Sequence, residues 1–506
     1  MSRTELIFGK GHINMKSKYL YTGSEWNMPL IEKLWDAIHK IAIQFGFDPY
    51  TPQIEIITSE QMLDCYSSVA MPVMYNHWSF GKTFIQNEQQ YNKGTQGLAY
   101  EVVINTNPCI AYLMENNTAT LQALVLAHAS VGHSHFFKNN YLFKKWTDAD
   151  TIVPYLKFAK NYIKSCEEKY GERRVEQLLD SCHSLQNHSI DKYKKPTSLS
   201  SELKRQKNKQ WENYFESTFN DIWRTVPDKE ITEVQRQKDD RFPEENILYF
   251  IEKNSPILED WEKEIVRIVR KVSQYFYPQR QTQLLNEGFA TFTHHLIMTE
   301  MHDQGLIDDG SYIEFLQNHT AVVTQRGWEN KHYSGINVYA LGFAMLMDIK
   351  RMCTSPDEED KRWFPDVCGK PWLETILYIV ENYRDESFVL QYLSPKVARH
   401  FQLFSFNISE GKDYLKVNAT HDDESFLYIR KALSEQYDLS RAIPQIEIVG
   451  VDWKGDRWLF LEHRTKNNQR LNYSSMKKTV SHIHKLWGFT VKMEYKDLDG
   501  NELEDV

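Results

Sequence analysis

The chain has 506 residues, of which 41% are hydrophobic and 13% aromatic, and this is enough apolar material for a substantial core or several domains. Charged residues make up 25%, an ordinary share for a globular protein, which argues against disorder along the whole chain. The net charge of -9 argues against a general nucleic-acid-binding protein, because such proteins need a basic surface.

The N-terminus, which begins Met1-Ser2-Arg3, carries no apolar signal segment. No stretch of the sequence reaches the roughly 18 apolar residues that a membrane helix needs. The six cysteines are scattered without a Cys-x-x-Cys pair, which excludes zinc-ribbon and thioredoxin-type motifs and is typical of a reducing compartment. We therefore expect a cytoplasmic protein with no membrane span.

The first part of the chain predicts mainly helices. Apolar residues from Trp26 to Ile41 recur at helical spacing, Thr118 is a candidate helix cap, and Gly171 separates two helical segments. The alternating, β-branched segment 100–105 predicts a short strand. The predicted helices here are 26–46, parts of 58–69 and 74–92, 118–134, 148–170 and 172–187.

The composition changes in the middle of the chain. Residues 192–245 are polar and densely charged, which predicts an exposed or partly disordered insertion. An amphipathic helix follows, with apolar residues from Trp261 to Phe276 on one side, and Pro278 is expected to end it. Further helices are predicted at 281–303 and 338–353.

Near residue 405 the pattern changes to short strands and helices. The predicted elements are strand 412–418, helix 423–437, strand 444–452, strand 456–463, helix 472–486 and strand 488–495. This βαββαβ order is typical of a ferredoxin-like module. The sequence therefore predicts an α+β fold, with a large, mainly helical domain at 1–405 and a small ferredoxin-like domain at 406–506.

Candidate metal ligands lie in three segments, and the first contains His128, His133 and His135. A spacing of five residues is about 500° of α-helix, so His128 and His133 would face different ways on an unbroken helix. Gly132 can end the helix and redirect His133. A set of buried, hydrogen-bonded histidines around a helix end is the alternative interpretation.

The second segment ends in Asp180-Ser181-Cys182-His183. Asp180 and His183 are three apart on a predicted helix, so both side chains can approach one ion. The pair is similar to the Glu-x-x-His pairs of carboxylate-bridged metal proteins. Solvated or buried polar residues without a metal would give the same pattern.

The third segment is Asn286-Glu287-Gly288-Phe289-Ala290, with His294 shortly after it. A lone carboxylate in an apolar helix needs a partner, and a structural salt bridge is one alternative for Glu287. The segment resembles the Asn-Glu-Gly-Phe-Ala segment of the gluzincin aminopeptidases, in which this Glu is the third zinc ligand, but the His-Glu-x-x-His half of that site is absent. The candidate ligands of a divalent metal such as zinc, iron or manganese are therefore His128, His133, Asp180, His183, Glu287 and His294.

Other catalytic motifs are missing from the sequence. It contains no P-loop, no Gly-x-Gly-x-x-Gly fingerprint and no Gly-x-Ser-x-Gly elbow, so motifs for ATP, a dinucleotide or an α/β-hydrolase nucleophile are lacking. The aromatic-rich segment 74–82 is compatible with a ligand cleft or with a seam of the core.

Several long segments, in order from about residue 20 to 490, carry a specific resemblance. They include 74–82, 107–115, 132–140, 275–279, 286–292, 339–345 and 384–388. These segments closely resemble the SpoVR family. Phe289 stands where the family usually has Trp, and Val338 where it has Pro, but neither position carries a titratable candidate.

This resemblance implies an association with spore cortex formation in spore-forming relatives. It also implies two partners that tend to be encoded with SpoVR-like proteins, a PrkA-type serine kinase with an AAA ATPase domain and a von Willebrand A-type protein. It implies no biochemical activity.

Three hypotheses about function follow from the sequence. The first is a regulatory or adaptor role in envelope, peptidoglycan or stress physiology, together with those partners. The second is a metal-dependent enzyme, a hydrolase or amide-bond enzyme, that uses the His/Glu site of the helical domain. The third is a purely structural helical protein.

Overall fold

The structure is a computed structural model, and it describes residues 19–67, 71, 73–92, 101–190, 244–327, 330, 333, 335–403, 405–408, 415–419, 422–439, 443–453, 455–464, 471–496 and 502–505. The charged insertion predicted at 192–245 lies outside the described residues, except for its last two positions. Among the described residues, no helix is long and apolar enough to cross a membrane.

Most of the described chain is helical. The predicted helices are present, but the helices at 247–254, at 309–322 and between 358 and 400 were not predicted. A π-helix, Leu126–His133, follows the helix Ala119–Val125 directly and was not predicted. The other helices are α1 (Met28–Gln44), α2 (Ser59–Ser67), α3 (Trp78–Asn92), α4 (Ala119–Val125), α5 (Ser134–Asn139), α6 (Tyr141–Trp146), α7 (Ile152–Tyr170), α8 (Glu172–Ser184), α9 (Ile247–Asn254), α10 (Asp260–Gln281), α11 (Gln283–Asp303), α12 (Asp309–Val322), α13 (Val338–Thr354), α14 (Glu358–Trp363), α15 (Trp372–Asn382), α16 (Asp385–Tyr392), α17 (Pro395–His400), α18 (Asp423–Gln436) and α19 (Tyr473–Trp487).

Three strands near the N-terminus form a small sheet in the order β1-β3-β2, made of β1 (Pro52–Ile57), β2 (Glu101–Ile104) and β3 (Cys109–Met114). β3 pairs parallel to β1 and antiparallel to β2. β2 confirms the predicted strand. The sequence did not predict β3, which is buried at every position, because a short, wholly apolar run has no period that distinguishes strand from helix.

Helix α11 lies in the larger core, where it packs against α13 and the π-helix. A Cβ atom added at Gly288 would lie 2.5 Å from Cα of Gly342, and one added at Gly132 would lie 2.6 Å from Cα of Ala290. Only glycine allows backbones to approach this closely. These contacts bring the histidines of the π-helix beside the polar face of α11.

A second core is shared by α7 to α10 and the C-terminal sheet. Helix α10 continues past Pro278 to Gln281, so the prediction that Pro278 ends it is wrong. A proline in the last turn removes one backbone hydrogen bond. Tyr277 and Pro278 are both buried here, and their burial offsets that loss.

The C-terminal elements occur in the predicted order, and the α+β class is confirmed. β4 (Ser405–Ile408) and β5 (Leu415–Ala419) form a two-stranded ribbon. β6 (Ile446–Val451), β7 (Leu459–Arg464), β8 (Val491–Lys496) and β9 (Glu502–Asp505) form a four-stranded sheet in that order.

The ferredoxin-like arrangement is wrong for the described residues, because the first predicted strand, β5, pairs with β4 and not with the four-stranded sheet. The helix that follows it, α18, packs on α16 of the helical region. Helix α18 also contacts the end of α14, where the ring of Phe426 lies 5.0 Å from that of Trp363, centroid to centroid. The apolar face of α18 is therefore buried against helices, and the sheet is built from the later strands.

The glycine contact between α11 and α13 predicts a large effect of a single methyl group. In Gly342→Ala, the new Cβ would lie 2.4 Å from the carbonyl oxygen of Leu284. We expect the free energy of unfolding, measured by urea denaturation, to fall by about 1–3 kcal/mol. The matched control is Gly81→Ala in α3, where a Cβ meets no atom within 4 Å and helix propensity favours Ala by up to about 1 kcal/mol. Equal stability of the two variants would contradict this packing.

Candidate metal centre

The π-helix places His128 and His133 side by side. Hydrogen bonds in a π-helix join residues five apart, so residues at this spacing lie on one face. The two imidazole rings are 4.7 Å apart, centroid to centroid, and both side chains are only 6% exposed. On an unbroken α-helix the two residues would face different ways, and Gly132 was predicted to end the helix and redirect His133. The helix instead continues through Gly132, and its wider π-helical turn brings the two rings together.

Two carboxylates approach these histidines. Oε2 of Glu287, on α11, lies 3.4 Å from Nε2 of His133 and 3.7 Å from Nε2 of His128. Oε1 of Glu101, on β2, lies 3.3 Å from Nε2 of His128. Glu101, His128 and His133 each offer a ligand atom within 4.8 Å of the others. We call Glu101, His128, His133 and Glu287 the candidate metal centre.

The carboxylates of the centre are incompletely satisfied. Oε2 of Glu101 and Oε2 of Glu287 are buried without a hydrogen bond of ordinary geometry.

Burial raises the pKa of Glu101. Burial also acts to raise the pKa of Glu287, but His133 and His128 outweigh it and hold that pKa well below its usual range. For His133, burial acts to lower the pKa, yet Glu287 raises it. A bound cation would stabilise both anionic carboxylates and fits the unsatisfied oxygens.

The ring nitrogen of each histidine that faces away from the carboxylates, Nδ1, has a hydrogen-bond partner of its own. Nδ1 of His133 donates to Oδ1 of Asn286 at 2.9 Å, so Nε2 is the ring nitrogen that faces the carboxylates. Nδ1 of His128 lies 2.9 Å from Nδ1 of His294, and Nε2 of His294 lies 2.9 Å from Nδ1 of His319. Such outer partners orient metal-binding imidazoles in known sites.

The start of α11 is held by a buried carboxylate from another helix. Oδ2 and Oδ1 of Asp385 accept the backbone N–H groups of Leu284 and Leu285, both at 2.9 Å. These groups belong to the first turn, which has no partners within its own helix. Asn286 and Glu287 follow directly, so Asp385 fixes the position from which both residues reach the histidines.

The structure brings together part of the predicted ligand set. His128, His133 and Glu287 lie in the centre, whereas His294 contacts the far side of His128. Burial, together with the neighbouring histidines, holds the pKa of His294 well below its usual range, so it is a neutral hydrogen-bonding group.

Asp180 and His183 do not join the group of ligand atoms found among the described residues. Nε2 of His183 is 2.6 Å from the Tyr75 hydroxyl, and Oδ1 of Asp180 is 3.2 Å from Nε2 of His77. These four residues form a second polar cluster on α8 and the segment that precedes α3.

The sequence analysis missed Glu101, Asn286 and His319. Glu101 has one signal, because it is the single charge at the start of an apolar strand, Glu-Val-Val-Ile. Asn286 stands next to a candidate ligand in the chain. Nothing in the local sequence distinguishes His319, which reaches the site only through the packing of α12.

The donor set agrees with the chemistry of several divalent metals. Two imidazole nitrogens and two carboxylates suit zinc, iron and manganese, whereas no cysteine belongs to the group. Glu101, His128 and His133 form the group whose ligand atoms lie within 4.8 Å of one another, and Glu287 lies within 3.7 Å of Nε2 of both histidines, so all four residues surround the space for an ion.

Comparisons with known proteins agree with the sequence resemblance. Residues 25–442 match the family model described as SpoVR like protein, and residues 444–498 match the one described as SpoVR-like C-terminal domain. The two models divide the chain later than the predicted boundary at 405, in agreement with the packing of α18 on the helical region.

The uncharacterized protein YcgB of Escherichia coli (strain K12) is 50% identical over 493 residues, which cover 97% of this chain and 96% of YcgB. No solved structure gives a significant match. The family models cover nearly all of the chain, and we conclude that it belongs to the SpoVR family.

Proposed function

We propose that this SpoVR-family protein is a metal-dependent hydrolase of amide or ester bonds. The observation that carries the proposal is the convergence of two imidazole Nε2 atoms and two buried carboxylates whose oxygens lack ordinary hydrogen bonds. Two histidines from one helix and a glutamate from the next also agree with the resemblance of the Glu287 segment to gluzincins. Ala129 follows the first histidine here, where those enzymes carry their catalytic Glu.

The residues of the centre divide the chemistry among them. A divalent metal held by His128, His133 and Glu287 would polarise a carbonyl group and lower the pKa of a water molecule. Glu101 replaces the missing catalytic Glu, because its Oε2 is free of hydrogen bonds and its Oε1 lies 3.3 Å from Nε2 of His128. Glu101 takes the proton of the attacking water and returns it to the leaving group.

The first test is metal content. We expect purified protein to hold about one equivalent of zinc, iron or manganese, because the ligands are pre-arranged and buried. Glu287→Ala and His133→Ala should reduce the content to below about 0.1 equivalent, because each removes a ligand atom. The matched control, Asp180→Ala, removes a carboxylate of the second cluster and should keep the metal. Wild-type protein without metal after reconstitution would contradict the proposal.

The second test separates metal binding from proton transfer. Glu101→Gln keeps the shape of the side chain and removes its basicity, so we expect normal metal content and a loss of turnover of about 100-fold or more. Turnover is measured with a panel of fluorogenic aminoacyl amides and esters. Loss of the metal in Glu101→Gln would make Glu101 a ligand instead, and unchanged turnover would exclude it as the base.

The family resemblance supports a second proposal at the level of the cell. We propose that the protein acts in the cytoplasm, in envelope or stress physiology, with the PrkA-type kinase and the von Willebrand A-type protein as partners. The separate C-terminal family model over 444–498 favours this, because that region supplies no residue to the metal centre and so has a role of its own.

This proposal predicts a physical association between the proteins. We expect the tagged full chain, purified from stationary-phase cells, to recover both partners. Recovery of neither partner by the full chain would contradict the proposal and leave the metal centre unaffected.

A further inference from the structure

The second polar cluster contains an arrangement that the metal centre does not use. Oγ of Ser79 lies 2.7 Å from Nδ1 of His77, and Nε2 of His77 lies 3.2 Å from Oδ1 of Asp180. Ser79 and His77 lie at the start of α3, and Asp180 lies on α8. A serine, a histidine and an aspartate are therefore linked in series.

The hydrogen-bond directions in this series follow from the backbone. The N–H group of Ser79 faces Nδ1 of His77 at 3.4 Å, so Nδ1 is an acceptor and Nε2 carries the hydrogen. Nε2–H then donates to Asp180, and the Ser79 hydroxyl donates to Nδ1. A hydroxyl that donates to a histidine base, itself oriented by a carboxylate, is the arrangement of an activated nucleophile.

A role for His77 as a helix cap does not account for all of these contacts. A cap requires only the bond from the Ser79 N–H group to Nδ1. It requires neither the Ser79 hydroxyl at 2.7 Å nor Asp180 on the opposite nitrogen. Asp180 is itself positioned, because Nε1 of Trp78 donates to the same Oδ1 at 2.8 Å.

The base is buried, whereas the serine is partly accessible and follows an exposed indole. The His77 side chain is 2% exposed, whereas Ser79 is half-buried in the first turn of α3. Trp78, next to Ser79 in the chain, is 53% exposed. A substrate can thus approach Ser79 over an apolar indole surface, at a helix start whose dipole favours a developing oxyanion.

A second histidine packs against the base without competing for it. The rings of His183 and His77 are 4.4 Å apart, centroid to centroid, and Nε2 of His183 lies 2.6 Å from the Tyr75 hydroxyl. Burial lowers the pKa of His183 to about 4, so it is neutral and accepts the hydrogen of Tyr75. It therefore restrains the His77 ring and adds no positive charge beside it.

We propose that Ser79 is the nucleophile of a second catalytic site, which hydrolyses carboxylic esters with an apolar acyl group. Ser79 Oγ forms a bond to the acyl carbon as its proton passes to Nδ1 of His77. The ester C–O bond then breaks, and the alcohol leaves with that proton. Water attacks the acyl-serine, gives a proton to His77, and releases the carboxylic acid as Ser79 Oγ regains the proton.

An alkyl fluorophosphonate tests the nucleophile directly, because Ser79 Oγ would bond to phosphorus while fluoride leaves with the serine proton. We expect native full-length protein to gain one phosphonyl group, located on Ser79 by peptide mass spectrometry. Labelling should be unchanged by a metal chelator, which separates this site from the metal centre.

Variants test whether His77 and Asp180 activate the serine. Ser79→Ala should abolish labelling, and His77→Gln and Asp180→Asn should slow it by about 100-fold or more. Ser165→Ala is the matched control, because Ser165 is also half-buried but its hydroxyl donates to a backbone carbonyl, that of Asn161. It should label like the wild type.

Three results would overturn the proposal. They are absence of labelling in protein with a native circular dichroism spectrum, labelling at a residue other than Ser79, and a labelling rate that is the same in Asp180→Asn as in wild type. Labelling rates are compared only among variants whose thermal stability matches that of the wild type, so that a folding defect is not counted as a loss of reactivity.

Discussion

The contact between two imidazoles and two carboxylates in one desolvated space is the constraint on which the larger core depends. Burial of a carboxylate is costly unless a positive group or hydrogen-bond donors compensate for it. Glu287 lies within 3.7 Å of Nε2 of both His128 and His133, and its anionic form is stabilised by them. The same geometry leaves a carboxylate oxygen on Glu287 and one on Glu101 buried without ordinary hydrogen bonds.

The elements around this contact hold its side chains in position. The π-helix aligns two histidines that an α-helix would separate, and Gly132 lets it lie directly on α11. Gly288 and Gly342 bring α13 against the other side of α11. Asp385 holds the first turn of α11. Backbone contacts of this kind leave little freedom for the Glu287 carboxylate to move away from the imidazoles. The packing of the whole core therefore offsets the free-energy cost of burying that carboxylate.

Much of the helical structure was predictable from the sequence, because helical periodicity and helix caps are local signals. The helix α11, the strand that carries Glu101, and three of the four residues that meet in the centre were predicted, whereas α12 and α14 to α17 were not. The π-helix was not, since its hydrogen bonds depend on packing and no residue type marks them. Glu101 was missed because it is distant in the chain from the histidines. The ferredoxin-like arrangement failed for a related reason: the order of elements is local, but the choice of partner for α18 and β5 is made by tertiary packing.

The central claim is that His128, His133 and Glu287 bind one divalent metal. X-ray absorption spectroscopy of the metal-loaded protein measures this directly. The account predicts two imidazole nitrogens at about 2.0–2.1 Å with carboxylate oxygens completing the shell, and loss of imidazole scattering in His128→Ala. A shell with thiolate sulfur at about 2.3 Å, or one that the His128 variant leaves unchanged, would contradict it.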